Sequence, residues 1–178
     1  DAIDNLQYAS NLVSAYDKAT KALDKLTAEQ RQMVPNMDKL RGVGPAIDVY
    51  KMIASLKPSN TNYAGTVQAA YSAYNMLSST EKQYVTNFAT LQEAKNNADS
   101  VQAVISKIAS ISPTSRNYAE QVAEALAMYN SLPSAVRKLV TNYDVLKSSQ
   151  KDADTVSKVR QLISEINPNA SNFESKLK

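Results

Sequence analysis

The sequence predicts an all-α protein, an elongated tandem array of three antiparallel three-helix bundles with a period of 55 residues. Three observations carry this expectation. Landmarks recur on one register: Pro58, Pro113 and Pro168; Asn62, Asn117 and Asn172; Tyr8, Tyr63, Tyr118 and Phe173. Self-similarity at a fixed spacing of this size marks stacked units, each burying its apolar face with the help of its neighbours. Within a unit, apolar residues fall at alternating steps of four and three, the stripe of an amphipathic helix. Cap and breaker residues stand at matching places in successive units.

The first segment of unit two places Tyr63, Val67, Ala70, Tyr74 and Leu77 on one stripe, and unit three repeats it with Tyr118, Val122, Ala125, Tyr129 and Leu132. Unit one runs Tyr8, Leu12, Ala15, Ala19, Leu23 and Leu26, with an extra turn at Ala19. From Leu26 to Leu40 its offset from unit two is 51 residues; at Val49 and Ile53 it returns to 55. Four residues are therefore added early and four removed after Leu40. Four residues are close to one helical turn, so the apolar face keeps its direction.

A short second helix follows in each unit. Thr27-x-x-Gln30 and Ser78-x-x-Glu81 are capping boxes, and Pro133 suits a first helical turn. This helix is expected to end near Asn36, Asn87 and Asn142, where Asn in the left-handed conformation would form a C-cap. The third helix is the longest, roughly 89–111 and 144–166. Its stripe is Ala46, Val49, Ile53 and Leu56 in unit one, and Val101, Val104 (or Ile105), Ile108 and Ile111 in unit two. In unit three it is Val156, Val159, Ile163 and Ile166. Each third helix is expected to meet its proline within two residues and stop there. At 1.5 Å per residue such a helix is roughly 33 Å long. Three units end to end would span on the order of 100 Å by the same rise.

The expected organisation is 1–7 as the tail of a preceding unit, then repeats at 8–62, 63–117 and 118–172. Residues 173–178 begin a fourth unit, with Phe173 and Leu177 matching Tyr118 and Val122. The chain thus reads as a piece of a longer array, in keeping with its start at Asp1.

Composition narrows the function classes. The chain has no Cys, no His and no Trp. It offers no disulfide framework or thiolate site, and the commonest general base and transition-metal ligand is missing. No cofactor or metal is expected. Net charge is +3; unit one has eight Lys/Arg against five Asp/Glu, unit two four against three, unit three six against six. No unit concentrates the basic charge that a phosphate backbone requires, which argues against nucleic acid as a partner. No apolar run reaches the ~20 residues of a membrane span, and no signal peptide is evident. Cys-free, Ser/Asn/Thr-rich composition is common in exported proteins of bacteria with a single membrane.

Each candidate site competes with a packing reading. Gly42-x-Gly44-Pro45 lacks the strand and longer glycine pattern of a phosphate cradle and reads as a tight turn or hinge. Asp99, Asp152/Asp154 and Glu120/Glu124 lack calcium-loop spacing and read as solvated helix positions. Tyr63, Tyr74, Tyr118 and Tyr129 belong to the core stripes. Tyr16, Tyr71 and Tyr84 lie beside the stripes and, with Lys82 and Arg137, are the candidate partner-binding residues. The competing reading is partial burial between helices. It is favoured because Tyr is commonly amphipathic at such boundaries. Lys82 and Arg137 recur, but Tyr71 becomes Leu126 and Tyr84 becomes Leu139 one period later, which points to a spacer over a binding module. Asn169-Ala-Ser171 matches a glycosylation sequon by pattern only.

The phrase linking the units is A-x-x-V-x-x-A-x-x-x-Y-N-x-L, then V-T-N-[YF]-x-x-L, then I-x-x-I-x-P. It occupies Ala64–Leu77 with Val85–Leu91, and Ala119–Leu132 with Val140–Leu146. It resembles the tandem helical repeats of large Gram-positive surface proteins, including S-layer proteins, cell-wall-associated proteins and multidomain secreted enzymes. Unit one departs from it with Val34-Pro35-Asn36. The resemblance covers essentially the whole chain and rests on packing and capping residues. It implies an extracellular, wall-associated location and a structural or binding role, with no catalytic residues. The expected function is a non-enzymatic spacer, with a binding module as the rival. The expected partners are neighbouring domains of a larger parent protein, cell-wall polymer or further copies in self-assembly.

Overall fold

The computed structural model describes residues 11–166. The expectations for 1–7, Tyr8, Pro168, the sequon at Asn169, Asn172, and the fourth-unit start at 173–178 with Phe173 and Leu177 lie outside the described residues. Among those described, all regular structure is helical. The helices are α1 (Leu12–Leu23), α2 (Ala28–Gln32), α3 (Met37–Ala54), α4 (Tyr63–Met76), α5 (Ser79–Lys82), α6 (Phe88–Ala109), α7 (Tyr118–Ser131), α8 (Ser134–Arg137) and α9 (Tyr143–Ser164). A long, short, long order thus occurs three times.

Local chemistry accounts for the boundaries. Asn11 caps α1 by accepting from the Ser14 amide at 3.0 Å. Both capping boxes form: Thr27 with Gln30 opens α2, and Ser78 with Glu81 opens α5. Pro133 stands at the N-cap of α8, one residue before the first helical turn. The re-phasing of unit one is also visible. Ala19 and Leu23 are buried on the extended stripe, while α3 has 18 residues against 22 in α6 and α9.

Four expectations are corrected. Gly42-x-Gly44-Pro45 is not a hinge but lies inside α3, which runs through it without a positive φ. The proline removes one intrahelical donor, and the flanking turns hold the helix. Asn36, Asn87 and Asn142 are not left-handed C-caps, since no described residue has a positive φ. Asn36 and Asn142 instead stand at the N-caps of α3 and α9 without a side-chain capping bond. The third helices do not run up to their prolines. Those of units one and two end at Ala54 and Ala109, where the Ser55 and Ser110 hydroxyls donate to the Met52 and Lys107 carbonyls, each at 2.7 Å. Each hydroxyl joins its own backbone amide on the same carbonyl, at 3.2 Å for Ser55 and 3.1 Å for Ser110. Lastly, the stripe expected to pack unit three is not buried, for Val156, Val159 and Ile163 are exposed on α9.

The described residues divide into two compact units, one up to Ala98 and one from Asp99, with the division inside α6. In the first, α3 packs against α1 and also against α4 and α5. Its core includes Leu40, Val43, Ile47, Val49, Ile53, Val67 and Leu91. One helix, α3, therefore serves two sets of neighbours, α1 before it and α4 with α5 after it. In the second unit, α7 lies along α9. Val101, Val104, Ile108, Val122, Val136, Val140 and Leu146 are buried there, and Val104 rather than Ile105 faces the interior. The Tyr118 hydroxyl donates to the Ser149 carbonyl at 3.2 Å, which ties α7 to α9.

Candidate functional site

The residues that recur at the period build two repeated polar arrangements. The first is a ladder at the junction of a long helix, the short helix after it and the next long helix. Tyr74 stacks on Phe88 with ring centroids 4.0 Å apart, and the Lys82 ammonium lies 5.3 Å from the Tyr74 centroid. One period later, Tyr129 stacks on Tyr143 at 4.2 Å, with the Arg137 guanidinium 5.9 Å from the Tyr129 centroid. Stacked rings of this kind add about 0.5–1.5 kcal/mol beyond area burial. All four rings are half-buried, so Tyr74 and Tyr129 cover the edge of the core rather than fill it.

Arg137 does more than cover a ring. Its Nε donates to the Leu132 carbonyl at 2.9 Å and its Nη2 to the Asn130 carbonyl at 2.7 Å. These are carbonyls at the C-terminal end of α7, where helical partners run out and cations are favoured. Arg31 repeats the Nε bond in unit one, to Leu26 at 3.2 Å, and approaches Asp24 at 3.8 Å. Lys82 has no planar fork and keeps only the position over the ring. In unit one the aromatic pair is replaced by Leu23 and Met37, which pack together with Ala19 and Leu40.

The second arrangement links segments of successive periods. The Asn87 side-chain amide donates to the Tyr50 carbonyl of α3 at 3.0 Å, and the Asn142 amide donates to the Ile105 carbonyl of α6 at 2.9 Å. Donors and acceptors are both one period apart. The opposite amide orientation would set two oxygens together, so the acceptor fixes which way each Asn points. The Oδ1 atoms of Asn87 and Asn142 are buried without a hydrogen-bond partner among the described residues. This repeated use of Asn is not legible in the V-T-N phrase, because a backbone acceptor has no residue signature.

The tyrosines beside the stripes do not converge. Tyr16 is half-buried against Ala19, Leu23 and Leu40, and its Oη lies 2.9 Å from where a Cβ on Gly44 would sit. Gly44 thus permits a close approach of α1 to α3. Tyr84 is half-buried in a cleft of about 240 Å³ beside Leu12, Ile47 and Tyr50. Neither Tyr16 nor Tyr71 lines that cleft. Tyr71 is half-buried on α4, and its counterpart Leu126, like Leu139 in place of Tyr84, is half-buried too.

The charged groups are largely at the surface. Lys51 donates to Asp17 at 2.7 Å, and this bond raises its pKa. Burial, with Glu93 nearby, raises that of Tyr63. The Ser78 backbone amide, and then its hydroxyl, lower that of Glu81. Glu124 is bonded to Lys107, and Asp152 and Asp154 are exposed on α9. Among the described residues no group of three acidic, His or Cys side chains could hold a metal ion. No described helix is long and apolar enough to cross a membrane. No protein family, curated protein or solved structure matches the chain.

Proposed function

We propose that this chain is a non-catalytic spacer segment of a bacterial cell-surface protein, of the S-layer or wall-associated kind. In this reading it is a tandem array of three-helix repeats at 8–62, 63–117 and 118–172. The observation that supports it most is how the recurring side chains are used. Lys82 and Arg137 cover Tyr74 and Tyr129, and Asn87 and Asn142 bond to the preceding third helix. The period is thus expressed in side chains that cover the core of one repeat and, through the Asn bonds alone, join it to the repeat before. The surface location rests on the resemblance of the repeat phrase, and the partners are neighbouring domains of a larger parent.

Co-sedimentation of the purified chain with isolated Gram-positive cell wall tests the reading. A spacer stays in the supernatant at all wall concentrations, whereas saturable sedimentation would overturn it. The cleft at Tyr84 favours one second reading, a module that binds wall polymer or a protein. Saturable binding that Tyr84→Ala abolishes would put that reading first. The array itself is open to a separate check. Removing residues 8–62 uncovers the faces of α4 and α5 that α3 packs against, so the remainder should melt at a lower temperature.

A further inference from the structure

The second half of α9 carries an apolar face that the same register covers elsewhere. Val156, Val159, Leu162 and Ile163 are 40%, 49%, 55% and 62% exposed. One period earlier, Val101, Val104 and Ile108 are 7%, 1% and 1% exposed. In α3, Ala46, Val49 and Ile53 are 0%, 3% and 1% exposed. The neighbours of α3 include α4 and α5, the first and short helices of the following repeat. The Asn after each following short helix bonds to the third helix at Tyr50 or Ile105. The register places the equivalent acceptor on α9 at the Arg160 carbonyl.

We propose that the face formed by Val156, Val159, Leu162 and Ile163 is a docking site for the first and short helices of another repeat of this same type. The occupant is defined by chemistry. It presents an aromatic-x-x-x-aliphatic-x-x-Ala stripe, as at Tyr63, Val67 and Ala70 or Tyr118, Val122 and Ala125, followed by a V-T-N phrase whose Asn donates to the Arg160 carbonyl. Position 162 is Leu where the preceding helix has Lys107, the partner of Glu124. The occupant therefore meets apolar surface there, and an acid at its Glu124 position gains no ion pair. Four clustered apolar side chains at helical spacing form the kind of exposed patch that marks an interaction surface. The inference rests on the repeat reading and is independent of where the protein resides.

The test lengthens the full chain by a second copy of residues 124–172 placed after Lys178, which continues the period in register. Amide exchange of residues 156–164 is compared with and without the addition. Docking predicts at least about tenfold slower exchange there, because a covered helix end opens with more of the structure. Ile163→Lys in the lengthened chain should reverse this protection, and Ala in place of the appended V-T-N Asn should reverse part of it. Unchanged exchange in 156–164 would overturn the proposal, as would an appended segment that gains no helicity, since a docking face should support its folding. Self-association of the original chain through α9 against α9, abolished by Ile163→Lys, would also overturn it, by making the same face of a second copy the occupant. Wall binding, present or absent, bears only on the spacer reading.

Discussion

The second halves of α6 and α9 carry the same apolar pattern under opposite conditions. Val104 and Ile108 are each 1% exposed, while Val159 and Ile163 are 49% and 62% exposed. Local sequence makes both segments helical, and α6 gains cover from later described residues, Asn142 and Glu124 among them. An amphipathic stripe states which face can be buried. It does not supply the surface that buries it. The largest test of this difference is truncation at matched positions. Ile108→Ala should lower stability by about 2–5 kcal/mol, as deletions in packed cores do. Ile163→Ala should stay within about 0.5 kcal/mol, as surface changes do. Urea midpoints of the two variants measure this, and equal losses would remove the contrast.

The Asn bridges sharpen the comparison at the next level. Asn142→Asp puts a carboxylate beside the Ile105 carbonyl, at a cost of about 1–3 kcal/mol for the unpaired buried group. Repulsion and burial raise the folded pKa of that carboxyl above its unfolded value. The variant therefore comes closest to the parent chain below the unfolded pKa, near 4, and loses stability as pH rises through the folded one. Thermal melts at pH 4 and pH 7 read the effect. A pH-independent loss would mean that the side chain does not face the carbonyl.

A smaller effect separates unit one from the later units. Tyr129→Leu with Tyr143→Met places the aliphatic pair of unit one into the ladder of unit three. A double-mutant cycle should give a coupling of about 0.5–1.5 kcal/mol between the two rings. A coupling near zero would make the stacking incidental. The smallest effect is at the capping boxes. Glu81 has a lowered folded pKa, so its capping contribution is present above the unfolded value and lost as pH falls through the folded one. Gln30 closes the matching box in α2 without a titrating group. The Ser78 amide resonance should titrate in acid below the usual glutamate range, and Glu81→Gln should abolish that titration.

Much of the helical order is legible in the sequence because it depends on short-range chemistry. The capping boxes at Thr27 and Ser78 and the stripes through Val67 and Val122 each lie within a few turns of chain. The four residues missing from α3 are legible as well, since a lost turn shifts the register of Val49 and Ile53. What is not legible lies between distant segments. The Asn bridges end on the carbonyls of Tyr50 and Ile105, whose side chains share no chemistry. Gly44 reads as a turn residue because only the Tyr16 hydroxyl, from another helix, explains the need for a small residue there. The candidate site residues stand out as individuals in the sequence, but their pairing does not. Lys82 and Arg137 recur because of the ring beneath them, and the three flanking tyrosines do not gather into one face.

The second half of α6 is held by the segments that follow it, Asn142 bonding to the Ile105 carbonyl and Glu124 to Lys107. Native-state amide exchange tests it most directly, by comparing residues 101–109 of α6 with residues 156–164 of α9 in the unmodified chain. Slow exchange is predicted in the first segment, near the limit set by unfolding of its unit, and exchange at least about a hundredfold faster in the second. Equal protection in the two segments would contradict the claim.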